Sequence, residues 1–153
     1  MSAEASLKEL GIILADLPTP KGNYLPGTVH HGVMYLSGQG PILENGEHAC
    51  GIVGREFTLE KANGHARRTG LILFSSAHSL PGSLDRIDRV LNVYGTVNAA
   101  DDLLDYPKVI NGCSDLMVEV FGEAGRHTGA AVGMGTLPNR ISVEITAILA
   151  VKP

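Results

Sequence analysis

The apolar positions of this chain follow two rhythms, and the change from one to the other marks its elements. After Thr58, the residues Leu59, Ala62, Ala66, Leu73 and Ala77 recur at the spacing of one helix face. Thr58 suits the N-cap of that helix, and Pro81-Gly82 stops the pattern. Gly64 and Gly70 each weaken a helix by about 1 kcal/mol relative to alanine, so they suggest close packing against a sheet. A second stripe is broader: Tyr106, Val109, Ile110, Cys113, Leu116, Met117, Val120 and Phe121. Asp105 is its predicted cap, Pro107 fits its first turn, and Gly122 and Gly125 end it. A shorter helix is predicted over 3–14, with Leu7, Leu10 and Leu14 on one face and Pro18 and Pro20 ending it.

Elsewhere the period is two. Val33 to Gln39 reads as a strand that stops at Gly40-Pro41, and Leu43 to Arg55, rich in glycine and charge, as a loop or hairpin. Leu91, Val93, Gly95 and Val97 alternate as in a strand. Two strands follow the second long helix. In the last, Ile141, Val143, Ile145, Ala147, Leu149 and Val151 share one face, while Ser142, Glu144 and Thr146 precede Ile148 and Ala150 on the other. The order strand, helix, strand, helix, strand, strand predicts an α+β fold, with both long helices packed on one face of a mixed sheet. The half-polar face of the last strand must then meet water, a ligand or a partner subunit.

The length of 153 residues fits one domain, expected over 1–153 with 1–21 as an N-terminal extension. Aromatics are 5% of the chain, so Val, Ile, Leu and Ala must fill the core. The formal net charge of −4, with no basic cluster longer than Arg67-Arg68, argues against nucleic acid as the main partner. No apolar run approaches the roughly 20 residues of a membrane span, and Met1 to Lys8 does not open like a signal peptide. Cys50 and Cys113 lie far apart and outside any CxxC pattern, which predicts free thiols and a cytoplasmic protein.

The candidate chemistry narrows quickly. His30 and His31 are adjacent, so on a strand they point to opposite faces and do not share a metal. His65 and His78 lack an i,i+4 partner, and His48 falls in the loop, so no metal and no cofactor is expected. Gly133-Met134-Gly135 lacks the third glycine and the helix of a dinucleotide loop. Ser37, in Ser-Gly-Gln-Gly, is not a nucleophile elbow. Glu144 is a lone carboxylate in an apolar strand. It suits either a solvent-facing position or a partly dry cleft, where its pKa rises and it serves as a general acid or base.

Several short motifs occur in a telling order: Gly22-Asn23-Tyr24, Leu36-Ser37-Gly38-Gln39-Gly40-Pro41, Asn111, Ala131-Val132, Leu137-Pro138 and Val143-Glu144-Ile145. In this order and spacing the chain resembles the reactive intermediate deaminase family, also called YjgF or Rid, from about Gly22 to Val151. The resemblance implies a chorismate-mutase-like fold, a homotrimer, and pockets in the clefts between subunits. It also implies hydrolysis of reactive enamines and imines. Glu144 would be the catalytic residue, handling the water. Tyr24, Gly38, Gln39, Asn111 and Ala131 would line the substrate site.

At one position the chain departs from the family. Counting back from Leu137-Pro138, the arginine that holds the substrate carboxylate falls on Gly129. Arg126 and His127 are the neighbouring cations, and Arg126 also reads as a solvated turn residue. Glycine there also leaves room for a bulkier or uncharged substrate. Three readings follow: a hydrolase of an imine, enamine or related C–N bond with an altered small-molecule substrate; a non-catalytic metabolite-binding or regulatory trimer; and, least supported by the acidic charge balance, an endoribonuclease.

Overall fold

In the computed structural model, which covers residues 1–153, the two long helices form where the stripes place them. Helix α1 spans Ala3–Glu9, strand β1 Gly27–His30, β2 Val33–Gln39 and helix α2 Leu59–Ser79. Strand β3 follows at Ile87–Asn98, helix α3 at Tyr106–Phe121, β4 at Thr128–Met134 and β5 at Val143–Val151. The five strands form one sheet in the order β1-β2-β5-β3-β4. Only β3 and β4 run parallel; the other neighbours are antiparallel. The α+β expectation with a mixed sheet is therefore met.

Helix α2 crosses β2 and β5, α3 crosses β3 and β4, and the two helices lie against each other. Their stripes meet Met34, Leu36, Val93, Val97, Val143, Ile145, Ala147 and Leu149 in one continuous core. Thr58 caps α2 by accepting a hydrogen bond from the Lys61 N–H. Asp105 holds the N-cap position of α3 but makes no capping bond; its carboxylate pairs with Lys108 at 2.9 Å instead. Gly70 does pack closely, but against Leu116 and Cys113 of α3 rather than the sheet, and Gly64 faces open space. The buried Cys113 thiol at this contact is pushed up to about 12 by burial.

Other expectations need correction. Helix α1 stops at Glu9, not near Pro18. Gly11 (φ 67°) turns the chain, with its N–H bonded to Lys8 and that of Ile12 to Leu7, the double closure of a Schellman end. Strand β1 was not predicted. His31 (φ 48°) and Gly32 (φ 74°) form the two-residue turn that joins it to β2, since positive φ at both positions matches the twist of a hairpin. That turn also brings the His30 and His31 rings to 4.1 Å, edge to face, so they do not point apart. A bulge in β3 between Val90 and Asn92 breaks its alternation and leaves Leu91 half-buried.

Strand β5 begins at Val143, so Ile141 lies before it, in a bridge with Cys50. Ser142 is not part of an open polar face: it is fully buried, 2.9 Å from Nδ1 of His65. The face of β5 away from the helices carries Glu144, Thr146 and Ile148, paired with Thr96, Tyr94 and Asn92 of β3. Tyr35 and Tyr94 stand exposed on that same face.

Candidate functional site

The open face of the sheet holds the first group of predicted residues. Glu144 projects from β5 beside Gly38, where β2 breaks its register between Leu36 and Gln39. A Cβ on Gly38 would sit 3.1 Å from the Glu144 carboxyl carbon, so the glycine leaves the space that the carboxylate occupies. Glu144 is half-buried, and desolvation pushes its carboxyl above the usual range. Tyr24, Gly38, Gln39 and Glu144 line one hollow of about 160 Å³.

The rest of that hollow was not singled out from sequence as part of the site. Pro18, Thr19, Pro20, Lys21, His48, Asn139 and Ile141 also line it. Nδ1 of His48 is buried and has no hydrogen-bond partner. The loop expected over 43–55 is pinned as a small hairpin, with Ile42 bridged to His48 and the Ala49 N–H bonded to Pro41. The rim at 138–140 is strained: Asn139 (φ 54°) and Arg140 (φ 56°) are both left-handed. Arg140 is held there by Glu56 at 3.0 Å. The Ile52 N–H and Arg140 in turn hold the Glu56 carboxyl below its usual range.

The second group lies elsewhere. Asn111, His127, Gly129 and Ala131 line a separate hollow of about 300 Å³, together with Val93, Pro107 and Ser114. It sits where α3 meets the β4 edge. Gly129 and Ala131 pair with Val93 and Gly95, which put them on the helix-covered side of the sheet. Within one chain, therefore, Asn111, Gly129 and Ala131 do not face Glu144. Arg126 lines neither hollow; it is exposed and paired with Glu123 at 2.9 Å. Nδ1 of His127 lies 2.8 Å from the Thr128 carbonyl.

Other chemistry finds less support. Ser37 donates its hydroxyl to the Leu25 carbonyl. His65 is buried against Ser142 and Phe57, and desolvation lowers its pKa. No three His, Cys, Asp or Glu side chains come close enough to hold a metal ion. No helix is long and apolar enough to cross a membrane. A larger hollow, about 740 Å³, lies between α2 and the segment around α1, and none of the predicted site residues lines it.

Residues 4–144 match the family described as "YjgF/chorismate mutase-like, putative endoribonuclease". The chain belongs to this family. Among its relatives is Protein TCP17 of Trypanosoma cruzi, 34% identical over 95% of this chain and 91% of the relative. The crystal structure of the Agrobacterium tumefaciens protein Atu1372, of unknown function, is 38% identical. It superposes with a TM-score of 0.87, covering 98% of this chain and 94% of that one. A "putative endoribonuclease" from Shewanella oneidensis, 26% identical, covers 99% and 100% with a TM-score of 0.94.

For this YjgF-family chain, position 129 takes on a definite physical meaning. A Cβ on Gly129 would stand 2.1 Å from the Val93 carbonyl oxygen, inside the backbone of the neighbouring strand. No arginine fits there while β3 and β4 stay paired. Nor does the glycine open room for a larger substrate along its Cβ direction, because that direction ends on backbone. Among the residues that line the Glu144 hollow, the basic side chains are Lys21 and His48. Sequence alone gave them no common signal. Twenty-seven positions separate them, and only the fold brings them to one hollow.

Proposed function

We propose that this protein hydrolyses the C=N bond of a small imine or enamine, with Glu144 as the acid–base group, in a cleft completed by a neighbouring subunit of a homotrimer. The observation that carries the reading is the setting of Glu144: a half-buried carboxyl with a raised pKa, at the wall of a hollow shaped by Gly38. Such a group takes a proton from water as the oxygen adds to the imine carbon. It then returns the proton to nitrogen, and the tetrahedral carbinolamine collapses to a carbonyl and ammonia. Water is consumed, the C–N bond breaks, and no oxidant or cofactor is required. Gln39 and Tyr24 supply polar groups at the same wall.

The trimer is supported by the division of the predicted residues. One group surrounds Glu144 on the open face, and the other lies at the β4 edge. A rotational assembly that sets the β4 edge of one copy against the open face of the next would bring both groups to one cleft. Tyr35 and Tyr94, exposed on that face, are the kind of side chain such contacts bury.

Ammonia release from freshly generated 2-aminoacrylate and from ring and aromatic imines tests the proposal, with Glu144→Gln alongside. Turnover above the buffer rate that depends on Glu144 is the expected result. If every imine decays at the buffer rate, the alternative of a non-catalytic metabolite binder takes over. Gly129 favours that alternative, because no cation fits on β4 at that position. The endoribonuclease description of the family and of the Shewanella protein finds little electrostatic support in this chain, with 12 Lys and Arg against 16 Asp and Glu.

A further inference from the structure

We propose that the hollow at the β4 edge is a subsite for an uncharged hydrogen-bond donor, a carboxamide or hydroxyl group of the ligand, and that Nε2 of His127 is its acceptor. Resting on the reading of Glu144 as the acid–base group of an imine hydrolase, this makes the substrate an imine with a neutral polar substituent.

The proton on the His127 ring is placed by its neighbour. Nδ1 lies 2.8 Å from the Thr128 carbonyl oxygen, which only accepts, so Nδ1 carries the hydrogen. Nε2 keeps its lone pair. It has no partner within the chain and is not buried. An imidazole whose other nitrogen is fixed in this way is a directed acceptor. The ring stands beside position 129, where a Cβ would lie 3.5 Å from Nδ1. The imidazole is therefore the functional group that this stretch of chain offers where Gly129 offers none.

The hollow supplies no positive charge of its own beyond that ring. Helix α3 presents Asn111 and Ser114 to it, and β3 presents Val93, all uncharged. The cations nearest in sequence are engaged, Arg126 with Glu123 and Lys108 with Asp105. An anion placed here would give up water without gaining an ion pair, which is costly. A neutral N–H or O–H group gives up less and gains the bond to Nε2. Asn111 and Ser114 carry donors as well as acceptors, so they can pair with the oxygen of the same carboxamide or hydroxyl group. The volume, about 300 Å³, is at the lower limit of common small-ligand pockets and suits one end of a small molecule.

The probes are pyruvamide and methyl pyruvate, which are close in size and both uncharged; only the first has N–H donors. Each is titrated into the full-length protein and followed by the chemical shifts of the His127 ring nitrogens and of the Gly129 amide. At about pH 8.5 the free protein is expected to show Nδ1 protonated and Nε2 bare. It should bind pyruvamide about fivefold more tightly, the size of one net hydrogen bond. At about pH 5 a protonated Nε2 no longer accepts, and the preference disappears. His127→Phe removes the preference, whereas His127→Gln, whose amide oxygen accepts without titrating, keeps it at both pH values. Thermal melts confirm that each variant is folded. A ring protonated on Nε2 instead of Nδ1 at the higher pH overturns the subsite, as does equal binding of the two probes or binding of neither. So does a preference that grows on acidification, survives in His127→Phe, or keeps its pH dependence in His127→Gln. The two proposals fail separately. A His127-dependent preference for pyruvamide, without turnover of any imine, keeps the subsite and removes the hydrolase. Glu144-dependent turnover without that preference does the reverse.

Discussion

The two hollows of this protein are built in opposite ways. Around Glu144, side chains converge from four segments: the proline-rich stretch 18–21, the end of β2, the hairpin at His48 and the rim at Asn139. At the β4 edge, the wall is largely backbone and small residues, with Gly129, Ala130 and Ala131 beside Asn111. The first hollow holds titratable groups in partly dry surroundings, where proton transfer is tunable. The second offers hydrogen-bonding surface and no buried charge. Close strand pairing accounts for the difference. Val93 and Gly129 approach so tightly that β4 has no room for a side chain there, whereas the register break in β2 at Gly38 opens space for one.

The sharpest way to break this contrast is at position 129. Even Gly129→Ala drives a methyl group into the Val93 carbonyl, so β4 must shift or detach. A loss of about 3 kcal/mol is expected, at the upper end of overpacking effects, together with a Tm lower by roughly 10 °C for a chain of this size. Gly129→Arg should be at least as damaging. Urea unfolding checks both. A variant with an unchanged midpoint would show that the strands separate easily and that a cation can be restored there after all.

The second prediction concerns the other hollow. Glu144→Gln should lower imine turnover by about a hundredfold or more, the range of general acid–base catalysis. Its effect on stability should have the opposite sign. Because the folded state raises the Glu144 pKa, folding binds this proton more tightly than the unfolded chain does. The contribution is therefore most favourable below about 4.5, the ordinary value, and is lost as pH rises through the raised pKa. At neutral pH the glutamine variant should be as stable as the wild type or more so. Equal losses of activity and stability would mean that Glu144 serves the fold and not a reaction.

Much of this division was written in the sequence, but unevenly. The stripes of α2 and α3 and the alternation of β5 are long and strongly periodic, and the core follows them. Glu144 stood out because it interrupts an apolar strand. Features made by single residues were harder to see. The His31-Gly32 turn that creates β1 uses a histidine in a left-handed conformation where asparagine or aspartate is the familiar signal. Gly11 ended α1 before the apolar pattern did. The pairing of Ser142 with His65, 2.9 Å away, joins residues 77 positions apart, which alternation along one strand does not reveal. Lys21 and His48 join the site only through tertiary contact.

That His65–Ser142 contact lies beneath the start of β5 and gives a third, smaller effect. Burial, with help from Lys61 and Arg68, lowers the His65 pKa. The unfolded chain therefore binds this proton more readily than the folded one. Stability from this group is intact above about 6.5, the ordinary value, and declines as pH falls from there toward the lowered pKa. Urea midpoints of the wild type should fall between pH 7.5 and pH 5, and His65→Gln should flatten the part of that slope due to this ring. An identical slope in the variant would assign the acid sensitivity to other groups.

Arg126→Ala should do least. Its guanidinium is exposed and held by Glu123, three residues earlier, in a surface pair of a kind that contributes between nothing and about 1 kcal/mol. It reaches neither hollow, although it lies just before β4 and beside His127. Stability should change by no more than about 0.5 kcal/mol, and KM for any imine that the protein turns over should stay within about twofold. A KM raised tenfold with kcat preserved would overturn this placement. It would mean that ligand draws Arg126 away from Glu123, so that the β4 edge acquires its charge only on binding. The difference between the two hollows would then belong to the empty protein alone.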